Sequence, residues 1–140
     1  MLPRTIFLGR LIGLFFILSA LFMLMHKQSF VATVPRLIQD PPLVLFIGTI
    51  ASIAGLAMVL GHNVWAGGIL PVVVTLIGWT ILIRGLLLLF LSPEALATYF
   101  EMFHFENLFY IYAAITLVLG LYLTYAAFKA LLPPNAGTKR

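Results

Sequence analysis

Arg84 is the residue whose position carries the most chemical information. It lies inside an apolar run, 69–91, and roughly 10 Å of helix separates it from the end of that run. An unpaired guanidinium at such a depth costs about 2–3 kcal/mol on insertion scales. The sequence therefore predicts that Arg84 extends to the nearer membrane surface or pairs with Glu94, Glu101 or Glu106. The functional alternative is a pocket for an anion or a lipid headgroup around Arg84.

Glu101 and His104 are the residues whose types and spacing fit metal binding. They stand three positions apart, so one helix face would present an oxygen and a nitrogen donor together. His26 and Glu106 are the further donors that could complete such a site. Bundles that hold two iron ions carry additional carboxylates within their spanning helices, and none is present here. Solvated surface residues are the alternative interpretation.

Catalytic chemistry has little material in this chain. There is no cysteine, which excludes disulfides, thiolate nucleophiles and Cys-ligated metal centres. No serine or threonine stands at motif spacing from a histidine and an acid, and Gly67-Gly68 lacks the Lys-Ser/Thr of a phosphate-binding loop. The basic residues are scattered singly, unlike a nucleic-acid interface. We expect a non-enzymatic protein with no catalytic residue, no cofactor and no nucleic-acid partner.

The elements that position these residues are four long apolar stretches. Of the 140 residues, 63% are hydrophobic and 9% are charged, which is incompatible with an ordinary soluble domain. A helix needs about 20 apolar residues to cross a bilayer, and the stretches of that length are 6–25, 43–60, 69–91 and 108–132. The first resembles a signal peptide without a cleavage site, so we expect a retained anchor. The prediction is an all-α integral membrane four-helix bundle, one domain over 1–132, with a short basic cytoplasmic tail at 133–140.

The connections between the stretches predict two further features. The link 61–68 is too short for a domain, so spans two and three should form a close antiparallel hairpin. Ser92 has the position of an N-cap, followed by Pro93 and Glu94 at the start of a helix. Apolar residues then recur at helical spacing, which predicts a short amphipathic interfacial helix over 93–105, between spans three and four. A plain loop is the alternative.

The distribution of Lys and Arg predicts the orientation in the membrane, because basic loops resist translocation. If the amino terminus is cytoplasmic, most basic residues near span ends are on the cytoplasmic side: Arg4, Arg10, Lys129, Lys139 and Arg140. The opposite side then has Lys27 and Arg36, with every acidic residue of the chain: Asp40, Glu94, Glu101 and Glu106. We expect both termini in the cytoplasm.

Small residues in each span mark expected helix contacts, since they let backbones approach closely in lipid. They are Gly9, Gly13, Gly48, Ser52, Gly55, Gly78, Gly85, Thr116, Gly120 and Thr124. Packing within one bundle explains all of them, and contacts between copies of the chain are the alternative.

The chain resembles the DoxX-like group of small bacterial inner-membrane proteins in three respects: four short-looped spans, Gly9-Arg10 leading into an apolar helix, and a glycine-bearing second span that ends Gly55-Leu56-Ala57-Met58-Val59-Leu60-Gly61. An acidic residue frequent in the second span of that group is missing. The segment from Gly61-His62-Asn63-Val64-Trp65 to Pro71-Val72-Val73-Val74-Thr75-Leu76-Ile77-Gly78-Trp79 is similar to bacterial membrane proteins without an assigned function. The resemblance implies the bacterial inner membrane and adds no chemistry.

These observations favour an accessory, assembly or scaffold component of the membrane. The alternative is a subunit of a small oligomeric transporter or channel. Such a protein would need several copies of the chain, because one bundle with so few polar groups offers no continuous hydrophilic path. The expected partners are membrane lipids, together with other membrane proteins or further copies of the chain.

Overall fold

The computed structural model describes residues 3–104 and 106–130, and within those ranges the chain is helical without strands. The six helices are α1 (Pro3–Met25), α2 (Lys27–Ile38), α3 (Pro41–Gly61), α4 (Ile69–Phe90), α5 (Pro93–Met102) and α6 (Phe109–Lys129). Residues 133–140, predicted as a basic tail, lie outside the described residues.

Four of the helices, α1, α3, α4 and α6, are long and apolar enough to cross a membrane. At 1.5 Å per residue each extends for about 30 Å, which matches the hydrocarbon thickness of a bilayer. The prediction of an all-helical, multi-pass membrane protein is therefore confirmed at this level. The predicted bounds are close to those observed, except that α1 begins at Pro3, α3 begins at Pro41 and α6 ends at Lys129.

Helices α3 and α4 form a close antiparallel hairpin, as the short link between them predicts. Gly55 and Gly85 allow the approach: a Cβ added to Gly55 would overlap the backbone of Leu82, and one on Gly85 would lie 2.5 Å from the backbone N of Ser52. Gly67 and Gly68 turn the chain between the helices with φ of +92° and +125°. Glycine is suited to these positions because residues with a side chain rarely adopt a positive φ.

Helices α1 and α6 form a second antiparallel pair that is equally extensive. Gly13 of α1 lies against the backbone of Thr124 and Gly120, and Gly120 in turn lies against the backbone of Ile17. The small residues predicted that the helices approach each other closely, but they did not predict which two helices form a pair. The chain thus brings its first and last spans together.

The two pairs meet through α4 at one end of the bundle, which also contains residue 3, the 62–68 connection and the end of α6. We call this the terminal end. Its core consists of buried apolar side chains from α1, α4 and α6: Ile12, Leu70, Val74, Ile77, Leu123 and Ala127. Since α3 contributes no buried residue to this cluster, it occupies the edge of the bundle.

Helix α2 joins the pairs at the opposite end, together with α5, and we call this the surface-helix end. Phe30 and Val31 pack beside Met23 and Phe109 of the α1–α6 pair. About two turns further on, Ile38 packs with Val44 of α3 and with Leu96 of α5. Helix α2 was not predicted, although Phe30, Val31, Val34 and Ile38 recur at helical spacing, because Arg36 and several polar residues interrupt its apolar run. Pro35 also lies inside the helix, where proline is normally disfavoured.

Helix α5 begins as its sequence predicts. The Ser92 hydroxyl accepts a hydrogen bond from the backbone N–H of Ala95 at 3.3 Å, and Pro93 occupies the first helical position. The helix ends at Met102 rather than near Phe105, and Phe105 lies outside the described residues. The position of α5 on a membrane surface stays a prediction.

Candidate functional site

The candidate site is a cleft of about 420 Å³ at the surface-helix end, between α2, α5 and the turn that follows α5. One wall is apolar and is formed by both helices; its side chains are Val31, Val34, Pro35, Ile38, Ala97 and Phe100. The volume is within the range of about 300–1,000 Å³ that is common for small-molecule sites. The cleft can therefore hold an apolar group of moderate size.

The polar side of the cleft consists of hydrogen-bond acceptors and amides, without any Lys or Arg among its lining residues. Glu101 and Glu106 contribute carboxylates, and Gln39 and Asn107 contribute amides. Within residues 3–104 and 106–130, neither carboxylate has a hydrogen-bond or ion-pair partner. The cleft thus combines an apolar wall with unpaired negative charge.

His104 also lines the cleft, and its backbone conformation is unusual. With φ of +44° it lies in the left-handed region, where histidine is more common than most residues. Its Nδ1 lies 3.0 Å from the carbonyl oxygen of Met102. Because a carbonyl only accepts, Nδ1 must carry the proton in this contact. In the neutral ring, Nε2 is then a further acceptor.

The turn between α5 and α6 is held in place by Tyr112. The hydroxyl of Tyr112 donates to the carbonyl oxygen of Phe103 at 2.8 Å, which ties the turn to the first turns of α6. Nearby, Phe109 is fully buried against α1 and α2. These contacts fix the backbone on which Glu101, His104 and Glu106 stand.

The structure gives no support to the predicted metal site. Among the described residues, no three His, Asp or Glu side chains lie close enough to share a metal ion. Glu101, His104 and Glu106 line one cleft but do not converge within it. His26 lies elsewhere, at the junction of α1 and α2, where its ring stacks on Phe22 at 4.8 Å between centroids.

Glu94 lies at the start of α5 and does not line the cleft. Hydrogen bonds from its own backbone N–H and from the Ser92 hydroxyl hold the pKa of this carboxyl below its ordinary value of 4.5. A negative charge in the first turn is also favoured by the helix dipole. The charge of Glu94 therefore stabilises the start of α5.

Arg84 is exposed on the surface of α4, and it forms no ion pair within the described part of the chain. It continues the spacing of seven from Leu70 and Ile77, both of which pack toward α1 and α6. The structure does not bring Arg84 to Glu94, Glu101 or Glu106.

The predicted packing residues lie mainly at contacts within the chain. Gly9 lies against Ala127 and Leu70, Gly48 against Leu88 and Leu89, and Gly78 against Met58. The hydroxyls of Ser52 and Thr124 are buried without an acceptor among the described residues. Thr116 instead donates to the carbonyl of Tyr112 in its own helix.

Thr75 is a structural residue that sequence reasoning did not identify. It is 1% exposed, and its hydroxyl both accepts from the N–H of Val64 and donates to the carbonyl of Val64, each at 3.0 Å. This pair of bonds fastens the 62–68 connection to α4. A threonine in an apolar helix was the available signal, but nothing in the sequence pointed to Val64. His62, in the same connection, is 3% exposed.

Comparison with protein-family models, curated proteins and solved structures gave no match to this chain. The resemblance to the DoxX-like group therefore stays a prediction.

Proposed function

We propose that this protein is a non-enzymatic accessory or scaffold component of the bacterial inner membrane. The observation that carries the proposal is the composition of the bundle interior. Among the described residues the buried polar ones are Thr5, His62 and Thr75, and Thr75 fastens a connection. So apolar an interior suits a component that packs against and positions other molecules.

The close packing of the two helix pairs supports the same role. At Gly13, Gly55 and Gly85 the backbones approach so closely that no side chain fits between them. Packed interfaces of this kind resist deformation, because protein interiors are close-packed. A bundle that holds its shape suits a component that positions other molecules in the membrane.

The proposed orientation places the terminal end in the cytoplasm and the surface-helix end on the opposite side. Arg4, Arg10 and Lys129 support this arrangement, since basic residues favour the cytoplasmic side. All four acidic residues lie at the surface-helix end or adjoin it. We further propose that α2 and α5 lie along the membrane surface, with their apolar side chains toward the bundle.

Native mass measurement of the protein, extracted from its own membrane in a mild neutral detergent, tests the role. We expect a complex in which the 15.5 kDa chain is bound to a different membrane protein in a fixed ratio. A chain that remains monomeric at every detergent concentration and in every lipid would contradict the proposal.

The second candidate is a subunit of a small oligomeric transporter or channel, and the exposure of Arg84 favours it. An unpaired arginine about 10 Å inside a span costs about 2–3 kcal/mol unless it reaches water or a partner. In a ring of copies, Arg84 would line a shared path. A homo-oligomer of defined size that is lost in Arg84→Leu but kept in Arg84→Lys would favour this candidate over the accessory role.

A further inference from the structure

We propose that the cleft between α2 and α5 binds the headgroup of a lipid that carries a primary ammonium group, such as phosphatidylethanolamine. This inference goes beyond the proposed role, because it requires only that the four long helices span a membrane.

The charge of the cleft selects a cation that donates hydrogen bonds. Glu101 and Glu106 are exposed and have no protein partner in the described ranges, and no Lys or Arg lines the cleft beside them. In the neutral ring, Nε2 of His104 adds another acceptor, since Nδ1 is committed to Met102. A primary ammonium has three N–H donors and no acceptor, so it matches this lining. A lipid whose headgroup carries only the negative charge of its phosphate would be repelled by the two carboxylates.

The apolar wall selects an amphiphile rather than a free amine. Val31 and Val34 of α2 face the same cleft as Phe100 of α5. An apolar group that leaves water for this wall gains about 25 cal/mol for each Å² that it buries. The glycerol and upper acyl region of a lipid can lie on the wall while its ammonium group meets the carboxylates.

The place of the cleft in the fold identifies a lipid as the available amphiphile. The cleft is at the surface-helix end, beyond Met25 of α1 and Phe90 of α4, where the spans end. Lipid headgroups lie at that level on either side of a bilayer. The carboxylates and His104 are also too far apart to share a metal ion, because no three His, Asp or Glu side chains lie close together among the described residues.

Native mass spectrometry of the full chain in a neutral detergent, titrated with phosphatidylethanolamine, phosphatidylcholine or phosphatidylglycerol of the same acyl chains, tests the proposal. We expect phosphatidylethanolamine to bind about tenfold more tightly than the other two lipids. Of the three headgroups, only its ammonium group can donate charge-assisted hydrogen bonds to the carboxylates, and such bonds are stronger than neutral ones. Choline keeps the positive charge but has no N–H donor, so this comparison isolates hydrogen bonding. Equal binding of all three lipids, or a preference for phosphatidylglycerol, would overturn the assignment.

Paired variants locate the site. The double substitution Glu101→Gln and Glu106→Gln should remove the preference, whereas Glu94→Gln, which changes a carboxylate on α5 outside the cleft, should retain it. Ala97→Trp should reduce binding of all three lipids by filling the cleft. A preference that survives the double substitution would show that the lipid binds elsewhere.

Discussion

At the residue scale, the glycines of the spanning helices are the positions where one added carbon has the largest expected effect. A Cβ on Gly55 would meet the backbone N and Cα of Leu82, neither of which can move unless α3 and α4 separate. The sequence showed that these residues were small. It did not show which of them face backbone rather than the end of a flexible side chain.

Gly55→Ala should lower the thermal unfolding temperature of the protein in neutral detergent, because overpacking costs about 1–3 kcal/mol. Gly61→Ala is the matched control: it lies at the end of the same helix, and nothing lies within 4 Å of the added carbon. We expect no decrease for the control. Equal shifts in the two variants would show that the α3–α4 contact is looser than described.

Glu94 gives a prediction for pH dependence. Its pKa is lowered in the fold by its own backbone N–H and by Ser92, so its charge stabilises the folded state above about pH 4.5. That stabilisation is lost as the pH falls through the lowered pKa. Ser92→Ala should move the Glu94 pKa upward, toward its ordinary value, in a carboxyl NMR titration. Thr98→Val, a change on the same helix, should leave the pKa in place, and an unchanged pKa in Ser92→Ala would refute the assigned cause.

At the element scale, the spans were predictable and the pairing of α1 with α6 was not. A continuous apolar run of about 20 residues is sufficient to identify a spanning helix, because lipid leaves the backbone no other way to satisfy its hydrogen bonds. The α3–α4 hairpin followed from the short 62–68 link. By contrast, no local sequence pattern indicates that Gly13 contacts Thr124, which lies more than a hundred positions later in the chain.

Helix α2 shows why the candidate site could be predicted only in part. Glu101, His104 and Glu106 were identified from their side-chain chemistry, and the structure places all three in one cleft. The opposite wall comes from α2, whose Val31 and Val34 are ordinary apolar residues beside a helix-breaking proline. Their role depends on tertiary packing between elements that are distant in sequence.

The connection between α3 and α4 should depend on the Thr75 hydroxyl. Thr75→Val keeps the side-chain shape but leaves the N–H and carbonyl of Val64 without this partner, and an unpaired buried group costs about 1–3 kcal/mol. Hydrogen exchange at the Val64 amide should accelerate by at least about fivefold, in line with that cost.

Thr80→Val is the control for this change, because the Thr80 hydroxyl is exposed and bonds only to Leu76 within α4. Exchange at Val64 should be unchanged in the control. If Thr75→Val also leaves the exchange rate unchanged, the connection is held by other contacts.

At the scale of the whole molecule, the two helix pairs are joined at both ends but by different elements. The core around Leu70 and Val74 joins them at the terminal end, and α2 bridges them at the surface-helix end. Between these levels Arg84 is exposed on the surface of α4. The two pairs are therefore joined at both ends, and lipid or another protein can approach the exposed Arg84 between them.

The central claim, four crossings with the surface-helix end opposite the cytoplasm, is tested most directly by cysteine labelling. The chain has no cysteine, so each engineered thiol reports without background. Ser29→Cys of α2, Thr98→Cys of α5 and Ala66→Cys of the 62–68 connection are all at exposed positions. A membrane-impermeant maleimide applied to intact cells should label the first two and should label Ala66→Cys only after the membrane is opened. Labelling of Ala66→Cys alone would reverse the orientation, and equal labelling of all three from outside would contradict the four crossings.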